Sequence, residues 1–123
     1  MKDLKILLVE DDKITNFLSK KVLDIIGITH VEAVLDGQKA IHCMNNYCPD
    51  LIYLDLNMPV MDGFEFLEAI KKAGFSVKTK VAILTSSDMQ SDRDKAGNYP
   101  CVIDYIVKPL TVDKAAKAIT MLD

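Results

Sequence analysis

The sequence predicts an α/β fold in which helices cover both faces of a parallel sheet. Five short apolar runs alternate with five segments of helical pattern along the 123 residues. Most runs are apolar at nearly every position, which is typical of parallel strands buried on both faces. No linker, repeat or low-complexity segment divides the chain. Since each crossover between parallel strands is right-handed, we expect one doubly wound domain over residues 1–123.

The first half of the chain contains two strand–helix pairs. Lys5–Val9 is a continuous apolar run that predicts a buried strand. A helix is predicted over 13–27, ending at Gly27, a typical C-terminal stop. A short strand over 31–37 and a polar-faced helix over 38–47 follow. The first helix is predicted because its apolar residues recur at helical spacing: Ile14, Phe17, Leu18, Val22, Ile25 and Ile26.

The second half repeats the alternation three times. Thr111 is a suitable N-cap for the last helix, because its hydroxyl can accept a hydrogen bond from the first turn. Pro100 is expected to end the preceding helix early, because proline cannot continue a helix. The predicted strands and helices of this half cover, in alternation, residues 51–55, 64–74, 80–85, 88–99, 102–108 and 111–122.

Composition and charge exclude several classes of protein. The net charge of −3 argues against a basic nucleic-acid binder. No apolar run reaches the ~20 residues that span a bilayer, and the N-terminus becomes acidic too early for a signal peptide. The three cysteines lack metal-like spacing and are typical of reduced thiols. We therefore expect a cytoplasmic protein with neither a membrane nor a nucleic-acid partner.

Polar side chains follow four of the predicted strands at their carboxyl ends. In open α/β sheets, ligands bind at this edge. Because the carboxyl ends of parallel strands meet at one edge, we expect these side chains to share a small site. They are Glu10, Asp11, Asp12, Asp55, Thr85 and Lys108.

The residue types at this edge point to phosphoryl chemistry. Carboxylates packed closely together repel one another, so a cation is expected among them. An all-oxygen ligand set suits Mg²⁺, which prefers one or two carboxylates together with a phosphate. Lys108 offers a charge to a phosphoryl oxygen, and Thr85 offers a hydrogen bond. A carboxylate such as Asp55 can also act as the nucleophile that accepts the phosphoryl group.

Four segments of the chain resemble the response-regulator receiver domains of two-component systems. The resemblance implies a flavodoxin-like (βα)5 sandwich with strand order 2-1-3-4-5. It also implies Mg²⁺ as cofactor, a sensor histidine kinase or histidine phosphotransfer protein as phosphodonor, and a downstream protein target. It implies a signalling protein that catalyses its own phosphorylation and dephosphorylation, not an enzyme acting on an external substrate. The segments are ILLVEDD, LIYLDLNMPVMDGFE, AILTSS and DYIVKPL.

The resemblance assigns the phosphoryl group to Asp55. Thr85 is then the switch residue, whose hydroxyl moves toward the phosphoryl group. Lys108 pairs with the phosphoryl group. Tyr105 lies where the family has an aromatic side chain that changes rotamer. The bond between Lys108 and Pro109 is expected to be cis, which only a bond to proline adopts at modest cost.

The resemblance also assigns the metal ligands. Asp11 binds Mg²⁺ directly and Glu10 through water, while Asn57 contributes its main-chain carbonyl and Asp55 its carboxylate. The acidic pair follows the first strand immediately, which selects Glu10 and Asp11. Asp12 falls at the start of the helix, where an N-cap role is favoured.

Three other functions compete with this interpretation. A phosphatase of the haloacid dehalogenase type needs an aspartate two residues after its nucleophile, where this chain has Asn57. A flavodoxin-like electron carrier needs a phosphate loop rich in Ser, Thr and Gly after the first strand, where this chain is acidic. A degenerate receiver that acts only as a protein-interaction module would lack a site residue, and none is missing.

Overall fold

A computed structural model describes residues 3–122, and it confirms the predicted doubly wound fold. Five parallel strands form one sheet in the order β2-β1-β3-β4-β5, with five α-helices between and after them. A 3-10 turn at Phe75–Val77 precedes the fourth strand and was not predicted. The elements are β1 Lys5–Val9, α1 Lys13–Ile25, β2 His30–Val34, α2 Gly37–Met44, β3 Leu51–Leu54, α3 Gly63–Ala73, β4 Lys80–Thr85, α4 Gln90–Gly97, β5 Val102–Val107 and α5 Val112–Thr120.

The sheet separates two apolar cores. Successive side chains of a strand point to opposite faces, so β1 places Leu7 and Val9 in one core and Ile6 and Leu8 in the other. Helices α2, α3 and α4 pack on the first face, and α1 and α5 pack on the second. Within residues 3–122, none of the helices has the length and apolar character that a membrane span needs.

Side-chain caps set where the helices begin. Asp12 caps α1 as predicted, since its carboxylate accepts a hydrogen bond from the N–H of Ile14 at 2.9 Å. Asp36 and Asp62 cap α2 and α3, so each of these helices begins one residue earlier than predicted. Helix α4 ends at Gly97, before Pro100, in agreement with the predicted early end.

Helix α1 turns only part of its apolar surface toward the sheet. The helix was predicted correctly, but the side chains buried beneath it include Asn16 and Ser19 along with Leu23. The amide of Asn16 donates to the main-chain carbonyl of Glu10 at 3.0 Å, which satisfies a polar group inside the protein. Four large apolar residues of α1 are instead 55–71% exposed: Ile14, Phe17, Leu18 and Ile25.

Gly63 allows α3 to begin in direct contact with the end of β3. A Cβ at Gly63 would lie 2.7 Å from both the main-chain oxygen of Asp55 and the Cα of Leu56. We expect Gly63→Ala to lower the free energy of unfolding by about 1–3 kcal/mol, because main-chain atoms cannot move aside. Urea unfolding measures this change.

Gly37 provides a matched control for this prediction, because it is also the first residue of its helix. A Cβ there would meet only the flexible side chain of Met61, at 2.9 Å. Gly37→Ala should therefore leave stability nearly unchanged. Equal losses in the two variants would contradict the assigned role of the close approach at Gly63.

Candidate functional site

Main-chain hydrogen bonds hold the predicted site residues at one edge of the sheet. The parallel ladder continues one residue beyond β1, β3 and β5. Glu10 N–H donates to Val34 at 3.1 Å, and Asp55 N–H donates to Val9 at 3.0 Å. Lys108 N–H donates to the main-chain oxygen of Thr85 at 2.8 Å, between the ends of β5 and β4. The register of the strands therefore fixes the main-chain positions of Glu10, Asp55 and Lys108 at this edge.

Three carboxylates meet at this edge. Glu10, Asp11 and Asp55 each offer an oxygen, and these oxygens all lie within 4.8 Å of one another. Glu10 and Asp55 are buried, while Asp11 is exposed, so the cluster is open to solvent on one side. An all-oxygen set with an open side fits Mg²⁺, which keeps several waters when bound to protein. Asp12 lies outside this cluster, because its carboxylate caps α1.

Lys108 extends from the end of β5 into the acidic cluster. Its ammonium contacts Oε1 of Glu10 and lies 3.3 Å from Oδ2 of Asp55. Burial alone would lower the pKa of Lys108, but the two carboxylates raise it above its ordinary value. Burial raises the pKa of Glu10 to about 7, although Lys108 and the N–H of Asp12 act in the opposite direction. The edge thus holds one ammonium between two buried acids.

Thr85 and Tyr105 are connected through the loop that follows β4. Thr85 is fully buried at the end of β4, and its hydroxyl accepts a weak hydrogen bond from the N–H of Ser87 at 3.5 Å. The Tyr105 hydroxyl donates to the main-chain oxygen of the same Ser87 at 2.9 Å. Burial raises the pKa of Tyr105. Tyr105 therefore lies beside the loop rather than in the acidic cluster.

The loop between β3 and α3 carries a strained turn above the site. Met61 N–H donates to the oxygen of Pro59 at 2.7 Å, and Val60 between them has a φ of 69°. This is a classic γ-turn, which is uncommon and costly for a β-branched residue. Asn57 is exposed in the same loop, and its N–H lies 3.3 Å from Oδ1 of Asp55. The positive φ of Val60 has no signal in the sequence.

The turn after β5 has a support that sequence reasoning missed. The bond between Lys108 and Pro109 is cis, as predicted. The ammonium of Lys114 donates to the main-chain oxygens of Val107 at 3.0 Å and Pro109 at 3.4 Å, on either side of Lys108. No sequence signal distinguishes Lys114 from the other lysines of the surface. Only the fold shows that it contacts this turn.

Comparisons with known proteins identify one family. The model of the response regulator receiver domain matches residues 6–120. A probable transcriptional regulator, ycf29 of Porphyra purpurea, is 33% identical over 117 residues, which are 95% of this chain and 55% of that protein. A probable chemotaxis protein CheY of Rhizobium etli is 28% identical over 116 residues, which are 94% of this chain and 89% of that protein.

Solved structures show the same fold. A two-component response regulator from Cytophaga hutchinsonii has a TM-score of 0.90 and 28% identity, with 98% of each chain covered. The present chain spans about half the length of several curated relatives that it matches. The family model covers most of the chain, and the solved structure shares its fold. The chain therefore belongs to the response regulator receiver domain family of two-component signalling.

Proposed function

We propose that Asp55 accepts a phosphoryl group from a phosphohistidine donor, with Mg²⁺ bound beside it. The observation that supports this most strongly is the position of Asp55 itself. Its carboxylate is buried, lies 3.3 Å from the ammonium of Lys108 and is clustered with Glu10 and Asp11. A phosphoryl acceptor needs both a nucleophilic oxygen and cations that stabilise the transferred group.

The metal would be held by Asp11 and Asp55 directly, by the main-chain carbonyl of Asn57, and by Glu10 through water. The bound metal would supply positive charge that stabilises the oxygens of the transferring group. An oxygen of Asp55 forms the new bond to phosphorus as the bond between phosphorus and the donor imidazole breaks. Lys108 and the hydroxyl of Thr85 then bind phosphoryl oxygens. Hydrolysis of the aspartyl phosphate resets the site.

The new charge gives the chain two states. A phosphoryl group adds roughly −1.5 to −2 charge at neutral pH. Lys108, which contacts Glu10 and Asp55, then has a stronger anionic partner. Thr85 moves toward the group, and the loop through Ser87 carries that movement to Tyr105. The surface formed by α4, β5 and α5 thereby acquires a different affinity for a downstream protein.

The exposed apolar side of α1 is the proposed docking surface for the donor. We define this α1 surface by Ile14, Phe17, Leu18 and Ile25. Helix α1 begins directly after the acidic run, so the surface starts beside the site. Contiguous exposed apolar residues are typical of protein–protein contact sites. These four residues lie outside the core beneath α1, which buries Asn16, Ser19 and Leu23 of the helix.

A charge placed on the α1 surface should impair docking of the protein donor and leave the phosphoryl-transfer step at Asp55 intact. We expect Leu18→Asp to slow phosphorylation by a phosphorylated sensor histidine kinase at least about tenfold, since a desolvated interface charge costs several kcal/mol. Labelling by acetyl phosphate should be unchanged, because this small donor needs no docking surface. The measurement compares the two labelling rates, using a kinase that phosphorylates the unaltered chain.

Val77→Asp is the matched control. Val77 is an exposed apolar residue in the 3-10 turn before β4, at the opposite edge of the sheet. This variant should be labelled by the kinase and by acetyl phosphate at the same rates as the unaltered chain. The docking proposal fails if Leu18→Asp slows the two donors equally, or if kinase labelling is unaffected. Absence of acetyl phosphate labelling in the unaltered chain would instead favour the alternative, a receiver that acts only as a protein-interaction module.

A further inference from the structure

Tyr105 points inward in this structure. Its hydroxyl donates to the main-chain oxygen of Ser87 at 2.9 Å, and its ring is partly buried. Ser87 is two residues from Thr85, the proposed switch hydroxyl. The aromatic side chain is therefore held against the loop after β4.

Helix α4, beside Tyr105, is positioned mainly by polar contacts. Its sequence is polar on all sides, and Ala96 is its one buried residue. Such a helix has no apolar face to fix its position. At its N-terminal end, the Ser87 hydroxyl donates to Asp92 at 2.6 Å. Beyond its C-terminal end, the Tyr99 hydroxyl donates to Glu68 of α3 at 2.7 Å.

Arg93 of α4 covers the ring of Tyr105. The central carbon of its guanidinium lies 4.5 Å from the ring centroid. Its Nε and Nη2 both donate to Oδ1 of Asp88, at 2.9 and 2.7 Å. The carboxylate of Asp88 thus orients the guanidinium plane over the ring. A lysine at this position would keep the charge but would lose the two-pronged hydrogen bond to Asp88.

We propose that Arg93, oriented by Asp88, is a positioning residue that holds Tyr105 inward against the loop after β4. The inference rests on the proposed function only for the role of Tyr105 as the switch. A cation over an aromatic ring at a partly exposed site shifts a two-state population about two- to fivefold. The exposed ion pair with Asp88 adds little energy and supplies mainly orientation. The chain therefore begins with its switch side chain biased toward one state.

The proposal has a consequence for the output surface. Arg93 and Tyr105 line an open groove of about 380 Å³ between α4 and β5, together with Asp104 and Lys117. When Tyr105 turns outward, its hydroxyl loses the hydrogen bond to Ser87 and its ring enters this groove. Arg93 thus controls how often the groove is open in the unphosphorylated chain.

Fluorine NMR of protein labelled with 3-fluorotyrosine tests this proposal. The chain has four tyrosines, and Tyr105→Phe identifies the Tyr105 signal by its loss. Arg93→Ala should move that signal toward the value of a solvent-exposed tyrosine, with a two- to fivefold rise in the outward population. Arg93→Lys and Asp88→Ala should produce smaller shifts in the same direction. Each variant is measured without any phosphodonor.

Lys95→Ala is the matched control. Lys95 is on the same helix, and its ammonium lies 4.2 Å from the ring centroid of Phe64 instead of Tyr105. This variant should leave the Tyr105 signal in place. The proposal is overturned if Arg93→Ala leaves the signal unmoved, or if Lys95→Ala moves it equally.

Beryllofluoride, which mimics the aspartyl phosphate, separates this proposal from the proposed function. If Arg93→Ala moves the Tyr105 signal and beryllofluoride does not then move it back in that variant, Arg93 holds Tyr105 as proposed and the switch role of Tyr105 fails. If beryllofluoride moves the signal but Arg93→Ala does not, the switch role stands and the role of Arg93 is overturned.

Discussion

Asp55→Asn is expected to receive no phosphoryl group from acetyl phosphate and Mg²⁺, whereas the unaltered chain gains one. The amide has nearly the same shape as the carboxylate but lacks the nucleophilic oxygen that forms the bond to phosphorus. Asp55 also lies 3.3 Å from Lys108, so its neighbours are in place to stabilise the transferred group. Intact-mass measurement of the protein after incubation counts the phosphoryl groups directly.

Asp36→Asn is the matched control for this expectation. Asp36 follows β2 at the same edge of the sheet, and it caps α2 through the N–H of Lys39 at 2.8 Å. Asparagine caps helices about as well as aspartate, so the fold is preserved. This variant should be labelled normally. Full labelling of Asp55→Asn would show that another side chain accepts the phosphoryl group.

The second large effect concerns the metal. Asp11→Ala should lower the phosphorylation rate by roughly 10- to 100-fold, because it removes an oxygen from the cluster formed with Glu10 and Asp55. Asp12→Ala should change the rate only slightly. Its carboxylate accepts hydrogen bonds from Ile14 N–H at 2.9 Å and the Thr15 hydroxyl at 3.1 Å, and the Ile14 bond in particular lowers the pKa of Asp12.

Labelling rates measured against Mg²⁺ concentration distinguish the two variants. Excess chelator should stop labelling of the unaltered chain. Urea unfolding gives the complementary result, because Asp12→Ala removes a helix cap and should lower the urea midpoint. Asp11→Ala should not lower stability, since it relieves repulsion among carboxylates. Equal rate losses in both variants would mean that Glu10 and Asp11 are not the acidic pair.

The order of strands and helices was predictable because its signals are local and strong. Leu51–Leu54 is fully buried, as its unbroken apolar run indicated. The predicted stop at Gly27 has a positive φ, which glycine adopts without strain. Once the strands are parallel, the ladder alone brings Glu10 and Asp55 to the same edge. That part of the candidate site follows from topology.

The remaining features depend on contacts between distant parts of the chain. Asn16 faces inward because the carbonyl of Glu10 needs a donor, and no helical periodicity contains that information. Lys108 was expected near a phosphoryl group, but its contact with both Glu10 and Asp55 depends on the reach of a long side chain. Arg93 is one of several charged residues on a polar helix until the fold places it over Tyr105.

Chemical mapping of the phosphoryl group tests the central claim most directly. Borohydride reduces an aspartyl phosphate to homoserine, so tandem mass spectrometry of the reduced, digested protein identifies the acceptor residue. After incubation with acetyl phosphate and Mg²⁺, we predict homoserine at position 55 and at no other position. Homoserine at Asp11, Asp12 or any other aspartate, or a phosphoryl group that survives reduction on another side chain, would contradict the assignment of Asp55 as the acceptor.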